Sequence, residues 1–474
     1  MSAPALGMGG GGRPTLAKRV LHAGSWALFG QAAGQAIRLG SNVMLARLLS
    51  PDAFGLMSVV YMLTVAMALF SDLGINRSVV QSHRGADPDL LDTAWSLQVL
   101  RGCGLAGATV LVGVLVFFAN RMGWTRGGTV YADPRLPWLI GAFAFSAAIS
   151  GLESIRIGQA RRDVQLKRLT KIDLASQFAS VLLMLGIAWL TRSIWALVFG
   201  ALFSNSLRVG LGHLVLSGHR ERFRLEAAAV KELMSNARWI FVASILGFLA
   251  SNGDRVLLGA LIDAGSFGLY AVAFLLASVL QVLTSTLCIS VAYPAFSEVF
   301  RERRHDLPKT IGKFLQVYDA LVTFIAGILV IAGPAFVHLL YDQRYQQAGW
   351  ILSVLAAGCI GMRCQLVEQC YQAVGKPQLV TLANLIRLVA LVAGIWIGNK
   401  MWGFTGIVAA IALSQYSAWP LAIAFLIRRK YFTWRGNVLL LPSLAGGMLL
   451  GWLIEKGIYW LLPAGHAALK RLLQ

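Results

Sequence analysis

Residues Leu48–Leu63 read LLSPDAFGLMSVVYML, and Leu261–Leu276 read LIDAGSFGLYAVAFLL. The second copy lies 213 positions after the first. Six of the sixteen positions are identical: Leu48/Leu261, Phe54/Phe267, Gly55/Gly268, Leu56/Leu269, Val59/Val272 and Leu63/Leu276. Most of the others exchange one small or apolar residue for another. Each copy follows one long apolar segment and opens the next. An internal repeat of this kind in a hydrophobic chain is a signature of a two-lobed transporter.

The composition agrees. Of the 474 residues, 57% are hydrophobic and 13% charged, and the mean hydropathy is +0.66. Soluble chains carry about 25% charge. The formal net charge of +21 raises a nucleic-acid reading, but the cations lie mostly between apolar runs, where they set membrane orientation instead. No nucleic-acid partner is expected. Met1–Pro14 is glycine-rich and expected to be disordered. Lys18 and Arg19 precede a long span with no small-residue cleavage site, so that span stays as the first membrane helix. Cys103, Cys288, Cys359, Cys364 and Cys370 all fall inside apolar runs without the spacing of a zinc or redox site. Neither metal nor cofactor is expected.

A bilayer core requires about 20 apolar residues per helix. Such runs fall at 22–48, 52–80, 91–119, 136–158, 171–190, 193–216, 234–260, 265–296, 312–332, 348–373, 378–398, 404–427 and 437–455. The tail from Lys456, interrupted by Pro463, reads either as a short fourteenth span or as an interfacial helix. With the N-terminus in the cytoplasm, the inside loops carry 24 Lys/Arg and the outside loops six, leaving the tail uncounted; that bias sets the orientation. The resulting organisation is a disordered cytoplasmic N-terminus (1–21), an N-lobe of six spans (22–217), a cytoplasmic linker expected to be an amphipathic helix (218–232), a C-lobe of six spans (233–430) and one or two C-terminal spans (431–474). Six spans separate equivalent points of the repeat, so the lobes run parallel, related by an axis along the membrane normal. The fold class is an all-α integral membrane protein: two parallel six-helix lobes around a central cavity, plus one or two C-terminal helices.

Charge inside a span costs about 2.5–3.5 kcal/mol or more, so it marks a wet cavity or a partner. Arg38, Arg101, Arg255, Arg363 and Arg387 are embedded, as are the acids Asp72, Asp254, Asp319 and Glu368. Gln31, Gln35, Arg38 and Asn42 stand at i, i+4, i+7 and i+11. At about 100° per residue they share a face about 60° wide, which suits a lumen. Shifting by the repeat offset takes Asn42 to Arg255, so Arg38 and Arg255 occupy matching faces of matching helices, one turn apart. A second stripe joins Gln365, Glu368, Gln369 and Gln372. Substrate-binding candidates are therefore Arg38, Gln35, Asn42, Arg255, Arg101, Arg363 and Arg387, and Asp72 and Glu368 are candidates for ion coupling. Structural alternatives stay open. Arg101 and Arg387 could pair with Asp72, Asp319 or Glu368, and the glutamines could bond neighbouring helices. Arg208 and Arg238 sit where they would snorkel. Gly30 and Gly34 read as a helix-packing pair. Arginine's planar fork makes bidentate contacts with phosphate, so a diphosphate head group is a natural ligand.

Catalytic motifs are missing: no HExxH, Walker A or GxSxG occurs. Asp87–Pro88–Asp89, with Asp92 close by, matches a DxD pattern, but acids with a proline read first as a helix start. The chain is not expected to be an enzyme.

Leu45–Gly55 (LARLLSPDAFG), Ser71–Gln81 (SDLGINRSVVQ), Leu257–Phe274 (LLGALIDAGSFGLYAVAF), Tyr293–Ser297 (YPAFS), Leu339–Tyr345 (LLYDQRY) and Ala373–Pro377 (AVGKP) together resemble the Wzx-type polysaccharide flippases. These form part of the polysaccharide-transporter branch of the MOP (multidrug/oligosaccharidyl-lipid/polysaccharide) superfamily, and the colanic-acid type is the most similar pattern. The resemblance covers about residues 20–430. It implies a MOP/MATE-like pair of six-helix lobes in a bacterial inner membrane. It also implies movement of undecaprenyl-diphosphate-linked oligosaccharide from the cytoplasmic to the periplasmic leaflet, for exopolysaccharide, lipopolysaccharide or capsule biosynthesis. Cationic cavity residues would bind the diphosphate, a role carried to Arg38 and Arg255. The lipid-linked oligosaccharide and the bilayer are the implied partners, with a polysaccharide polymerase as a further candidate. Two other readings share the fold: a cation-coupled multidrug antiporter, which would want a cavity rich in acids and aromatics, and a flippase for the peptidoglycan precursor.

Overall fold

The computed structural model describes residues 16–70, 87–162, 166–216, 218–219, 221–227, 229–230, 248–249 and 252–472. Among the described residues every regular element is helical. Eight helices among the described residues are long and apolar enough to cross a membrane, and the chain is a multi-pass membrane protein.

The first half contains α1 (Leu16–Leu48), α2 (Pro51–Phe70), α3 (Pro88–Arg121), α4 (Leu136–Gly151), α5 (Leu166–Thr191) and α6 (Trp195–Val215). The second half opens with α7 (described over 252–261). It continues with α8 (Ala264–Ser285), which a π-helical turn at Thr286–Ala292 carries on into Tyr293–Glu302. Then come α9 (Leu307–Tyr318), joined by a second π turn at Asp319–Thr323 to α10 (Phe324–Leu340), α11 (Ala348–Gly361), α12 (Cys364–Ala373), α13 (Gln378–Ser414), α14 (Trp419–Arg428) and α15 (Leu440–Leu472).

The repeat explains how the halves meet. Pro51, suited by its fixed φ to a first helical position, opens α2. Asp263 caps α8 by accepting from the Ser266 amide at 2.9 Å. The two helices then cross at their repeat glycines. A Cβ on Gly55 would lie 2.0 Å from the Ala264 carbonyl oxygen, and one on Gly268 would lie 1.9 Å from that of Pro51. Pro51 and Ala264 are themselves repeat equivalents. The contact is therefore reciprocal, as two-fold-related surfaces require. Leu49, Phe54, Leu56 and Val59 from the first copy join Phe267, Tyr270 and Val272 from the second in one buried cluster with Tyr341 and Tyr345. Among the described residues the other buried clusters each stay within one half and its linker. The halves thus share a core at the repeat-bearing end, and a cavity separates them further along α1.

Arg344 and two tyrosines fasten that end. The Arg344 guanidinium donates to the Ala46 and Arg47 carbonyls at 3.2 and 3.4 Å, in the last turn of α1. Tyr345 donates to the Leu49 carbonyl at 2.9 Å, and Tyr341 to Asn42 Oδ1 at 2.7 Å. At the far end of the second half, α13 folds back on itself. Gly403 has φ +58° and ψ −134°, a backbone conformation open to glycine. The two arms then touch through Gly398 and Gly406, each of whose Cβ would fall within 2.4 Å of the other's carbonyl oxygen.

One reading is borne out and two are corrected. The DxD-like acids are structural: Asp87 caps α3 through the Asp89 amide at 3.2 Å. Asp92 accepts the Arg222 amide at 2.9 Å and contacts His219 at 2.7 Å. Because these α3 side chains satisfy its backbone, linker stretch 221–226 has no helix. The tail is also not a separate span, since α15 runs unbroken through Pro463. It is docked on α10 by Gly447, whose Cβ would lie 2.2 Å from the Phe324 carbonyl oxygen.

Added methyl groups at the crossing must overpack it, at about 1–3 kcal/mol each. Gly55→Ala and Gly268→Ala are expected to lower the thermal unfolding midpoint of the purified protein. The double variant should fall short of the summed loss, because both act on one contact. Gly104→Ala, where nothing lies within 4 Å, should leave the midpoint unchanged.

Candidate functional site

Three cavities share walls between and within the lobes. The first, of about 550 Å³, lies between α1 and α5 and is lined by Gln31, Gln35, Arg38, Asp173, Gln177 and Arg208, among others. The central one, of about 400 Å³, is lined by Arg38, Asn42 and Tyr61 of the first lobe and by Arg255, Tyr270 and Phe274 of the second. The third, of about 390 Å³, lies within the second lobe among Asp254, Gln281, Gln365, Glu368, Asn384, Arg387 and Gln415. Arg38 belongs to the first two cavities, and Tyr270 and Phe274 to the last two.

The α1 stripe faces these spaces as its spacing suggests. Gly30 and Gly34, on the adjoining flank of the helix, seat it on α5: a Cβ on Gly30 would lie 2.5 Å from Thr170 Cγ2, and Gln177 donates to the Gly34 carbonyl at 3.0 Å. Gln35 bridges the lobes by donating to Ser278 Oγ at 2.9 Å. Asn42 is held by Tyr341 of the second lobe. Arg38 is exposed to the cavity and makes no ion pair with a described residue. It lies ten residues before the end of α1, about 15 Å along the axis from the closed end.

Arg255 is likewise free of a carboxylate among the described residues. Its Nη1 donates to Asn252 Oδ1 at 3.2 Å, and its guanidinium carbon lies 3.8 Å from the centroid of the Phe274 ring, a cation–π contact. The neighbouring Asp254 does not neutralise it, because adjacent positions on a helix point apart. Asp254 instead accepts the hydroxyl of buried Tyr270. The central cavity is therefore cationic, with one guanidinium from each lobe.

The other embedded arginines have different surroundings. Arg363 is withdrawn from the cavity set: it forks onto Asp319 at 2.8 and 3.0 Å and donates to Asn437 Oδ1 and the Gly436 carbonyl, each at 3.0 Å. Asp319 is fully buried, and its place in an apolar run gave no sign that a π turn would aim it at Arg363. Arg101 lines none of the three cavities; it donates to the Ala68 carbonyl at 2.9 Å, in the last turn of α2. Arg387 does reach the third cavity, but paired with Glu368 and donating to Asn384 Oδ1 at 3.0 Å. Glu368, a candidate for ion coupling, is thus engaged. The other such candidate, Asp72, lies outside the described residues, as do Arg238 and the stretch Ser71–Gln81. Arg208 binds Asp173 at 2.8 Å and Glu153 at 3.1 Å rather than reaching only for the interface. Tyr61, Tyr270 and Phe274 were not among the sequence candidates; aromatic residues in an apolar run give no signal of their own. No group of His, Cys, Asp and Glu that could hold a metal occurs among the described residues.

Fold and cavities together define a two-lobed membrane protein of the transporter type, with a cationic space between its lobes. The chain belongs to the polysaccharide biosynthesis protein family, whose model matches residues 44–349. It is 23% identical over 462 residues to the lipopolysaccharide biosynthesis protein WzxC of Escherichia coli K12, covering 94% of this chain and 89% of that one. It is 23% identical to a putative O-antigen transporter of Shigella flexneri, covering 82% and 93%. In fold it is similar to the lipid II flippase MurJ in an inward closed conformation, with a TM-score of 0.68 at 13% identity, over 96% of this chain and 100% of that one.

Removing one partner of a buried ion pair costs about 3–5 kcal/mol, whereas replacing both with apolar groups is close to neutral. Arg363→Ala should therefore reduce expression and thermal stability sharply, and Arg363→Met combined with Asp319→Leu should restore most of both. Arg38→Ala, with no partner to strand, should leave the unfolding midpoint within about 1 °C of wild type.

Proposed function

We propose that this protein is a flippase. It moves undecaprenyl-diphosphate-linked oligosaccharide from the cytoplasmic to the periplasmic leaflet of a bacterial inner membrane, with its N-terminus in the cytoplasm. The observation that carries this reading is the pair Arg38 and Arg255. One comes from each lobe, both line one cavity, and neither meets a carboxylate among the described residues. Placing two such cations in a membrane interior is costly unless an anion offsets them. The fork of each suits phosphate oxygens. The family and two of its relatives, a lipopolysaccharide biosynthesis protein and a putative O-antigen transporter, point the same way.

On this reading the repeat-bearing end is periplasmic and closed, and the head group enters between the lobes from the cytoplasmic side. Rocking of one lobe against the other, with the Gly55–Gly268 contact parting, would then expose the cavity to the other leaflet. The lipid tail stays in the bilayer throughout. Outward movement of negative charge releases about 2.3 kcal/mol per charge per 100 mV, so the membrane potential drives an anionic cargo without ATP. A multidrug antiporter fits less well, because cationic drugs would meet unpaired arginines. A peptidoglycan-precursor flippase would use the same diphosphate chemistry and differs only in the attached glycan. A polysaccharide polymerase is a fitting partner, as it would consume the exported units.

Deleting the gene should abolish surface polysaccharide while lipid-linked repeat units accumulate on the inner leaflet. In the complemented strain, Arg38→Ala should cut export about tenfold or more, the worth of one charge-assisted bond of 1.5–3 kcal/mol. Arg38→Lys should fall between the two. Undiminished export by an Arg38→Ala protein that inserts normally contradicts the cationic-site reading.

A further inference from the structure

The second-lobe cavity differs in kind from the central one. Its one arginine is matched, Arg387 by Glu368, and the Asp254 carboxylate takes the Tyr270 hydroxyl. What faces the remaining space is amide. Gln281, Gln365 and Gln415 line it from α8, α12 and the turn after α13, and their side-chain amides make no hydrogen bond among the described residues. Asn384 uses its oxygen on Arg387 and keeps its two donors. Ser414 adds a hydroxyl at the wall, its own proton donated to the Ile411 carbonyl at 2.7 Å.

This chemistry selects its ligand. An anion finds no unpaired cation here, and a cationic drug finds only the Asp254 carboxylate, one oxygen of which already accepts the Tyr270 hydroxyl. An apolar chain would strand each amide at a cost of about 1–3 kcal/mol. A polyhydroxylated ligand suffers none of these penalties, because a hydroxyl both donates and accepts and an amide answers both. The volume of about 390 Å³ falls within the range of small-ligand pockets, about 300–1,000 Å³. The cavity also has the right neighbour, since Tyr270 and Phe274 form a common wall with the space that holds Arg38 and Arg255.

We propose that the second-lobe cavity is a glycan subsite. Gln281, Gln365, Asn384 and Gln415 bind an uncharged sugar next to the diphosphate while Arg38 and Arg255 hold the diphosphate itself. This rests on the reading of the central cavity as a diphosphate site. It assigns selection of the sugar to the second lobe and makes the Gln365/Glu368 face of α12 part of the binding surface. Gln369 is outside it, its amide turned back onto the Gln365 carbonyl at 3.3 Å.

The test titrates the full-length protein in lipid nanodiscs with undecaprenyl diphosphate, bare or carrying one glucose, galactose or N-acetylglucosamine, and reads binding by native mass spectrometry. At least one sugar should tighten binding about tenfold over the bare lipid. Combining Gln281→Leu with Gln365→Leu should erase that gain and keep bare-lipid affinity within twofold, which also shows that the variant is folded. If the pair disturbs folding, Gln365→Leu and Gln415→Leu are measured singly, and each should lose most of the gain. The proposal is overturned if no sugar tightens binding, or if folded glutamine variants keep the full gain. Failure of the diphosphate reading looks different: wild type and Arg38→Ala would then bind the bare lipid equally.

Discussion

The structure depends on one contact, the crossing of Gly55 and Gly268. Each glycine receives the carbonyl of the other copy's first helical residue, at a separation that leaves no room for a Cβ. Because the contact is reciprocal, it aligns the two halves about an axis between them. α1, the preceding helix of the first copy, is then drawn in by Tyr341, Arg344 and Tyr345 of the second half. One buried cluster spans both halves at this end. The cavity beyond it is what remains where the lobes are not held together.

Arginine does two different jobs in this membrane interior, and its partners separate them. Arg363 is held by four hydrogen bonds that tie the π turn at Asp319 to the segment before α15. A pair so well satisfied locks packing within one lobe and offers nothing to a ligand. Arg38 and Arg255 have no such anchor. Arg255 leans on an aromatic ring, and Arg38 faces open cavity, so both keep donors for a partner that arrives and leaves. The same division sets the central cavity apart from the amide-lined one beside it, whose arginine is paired with Glu368.

Much of this was legible in the sequence. Period and hydropathy located the helices. The repeat gave the two lobes, and its offset put Arg38 and Arg255 on equivalent faces that do border one cavity. What could not be read was which embedded charges are satisfied. Arg363 and Arg38 look alike in an apolar run, and the partner that distinguishes them, Asp319, stands 44 positions away and is aimed by a local change of helical pitch. The linker misled for a related reason. Its amphipathic pattern suits a surface helix, but side chains of α3, more than 120 residues earlier, bind the backbone of 221–226 and hold it out of a helix. Gln365 stood out in a polar stripe, whereas Gln281 and Gln415 did not, because each is isolated in its own segment and only folding brings the three together.

The central claim is that Arg38 and Arg255 jointly hold a diphosphate. An experimentally determined structure of the protein in a lipid nanodisc with undecaprenyl diphosphate addresses it most directly. The account predicts phosphate oxygens within hydrogen-bonding distance, about 2.7–2.9 Å, of both guanidinium groups, with the Arg363–Asp319 pair unchanged. Phosphate density on any other cation, with Arg38 and Arg255 left uncontacted, would contradict it.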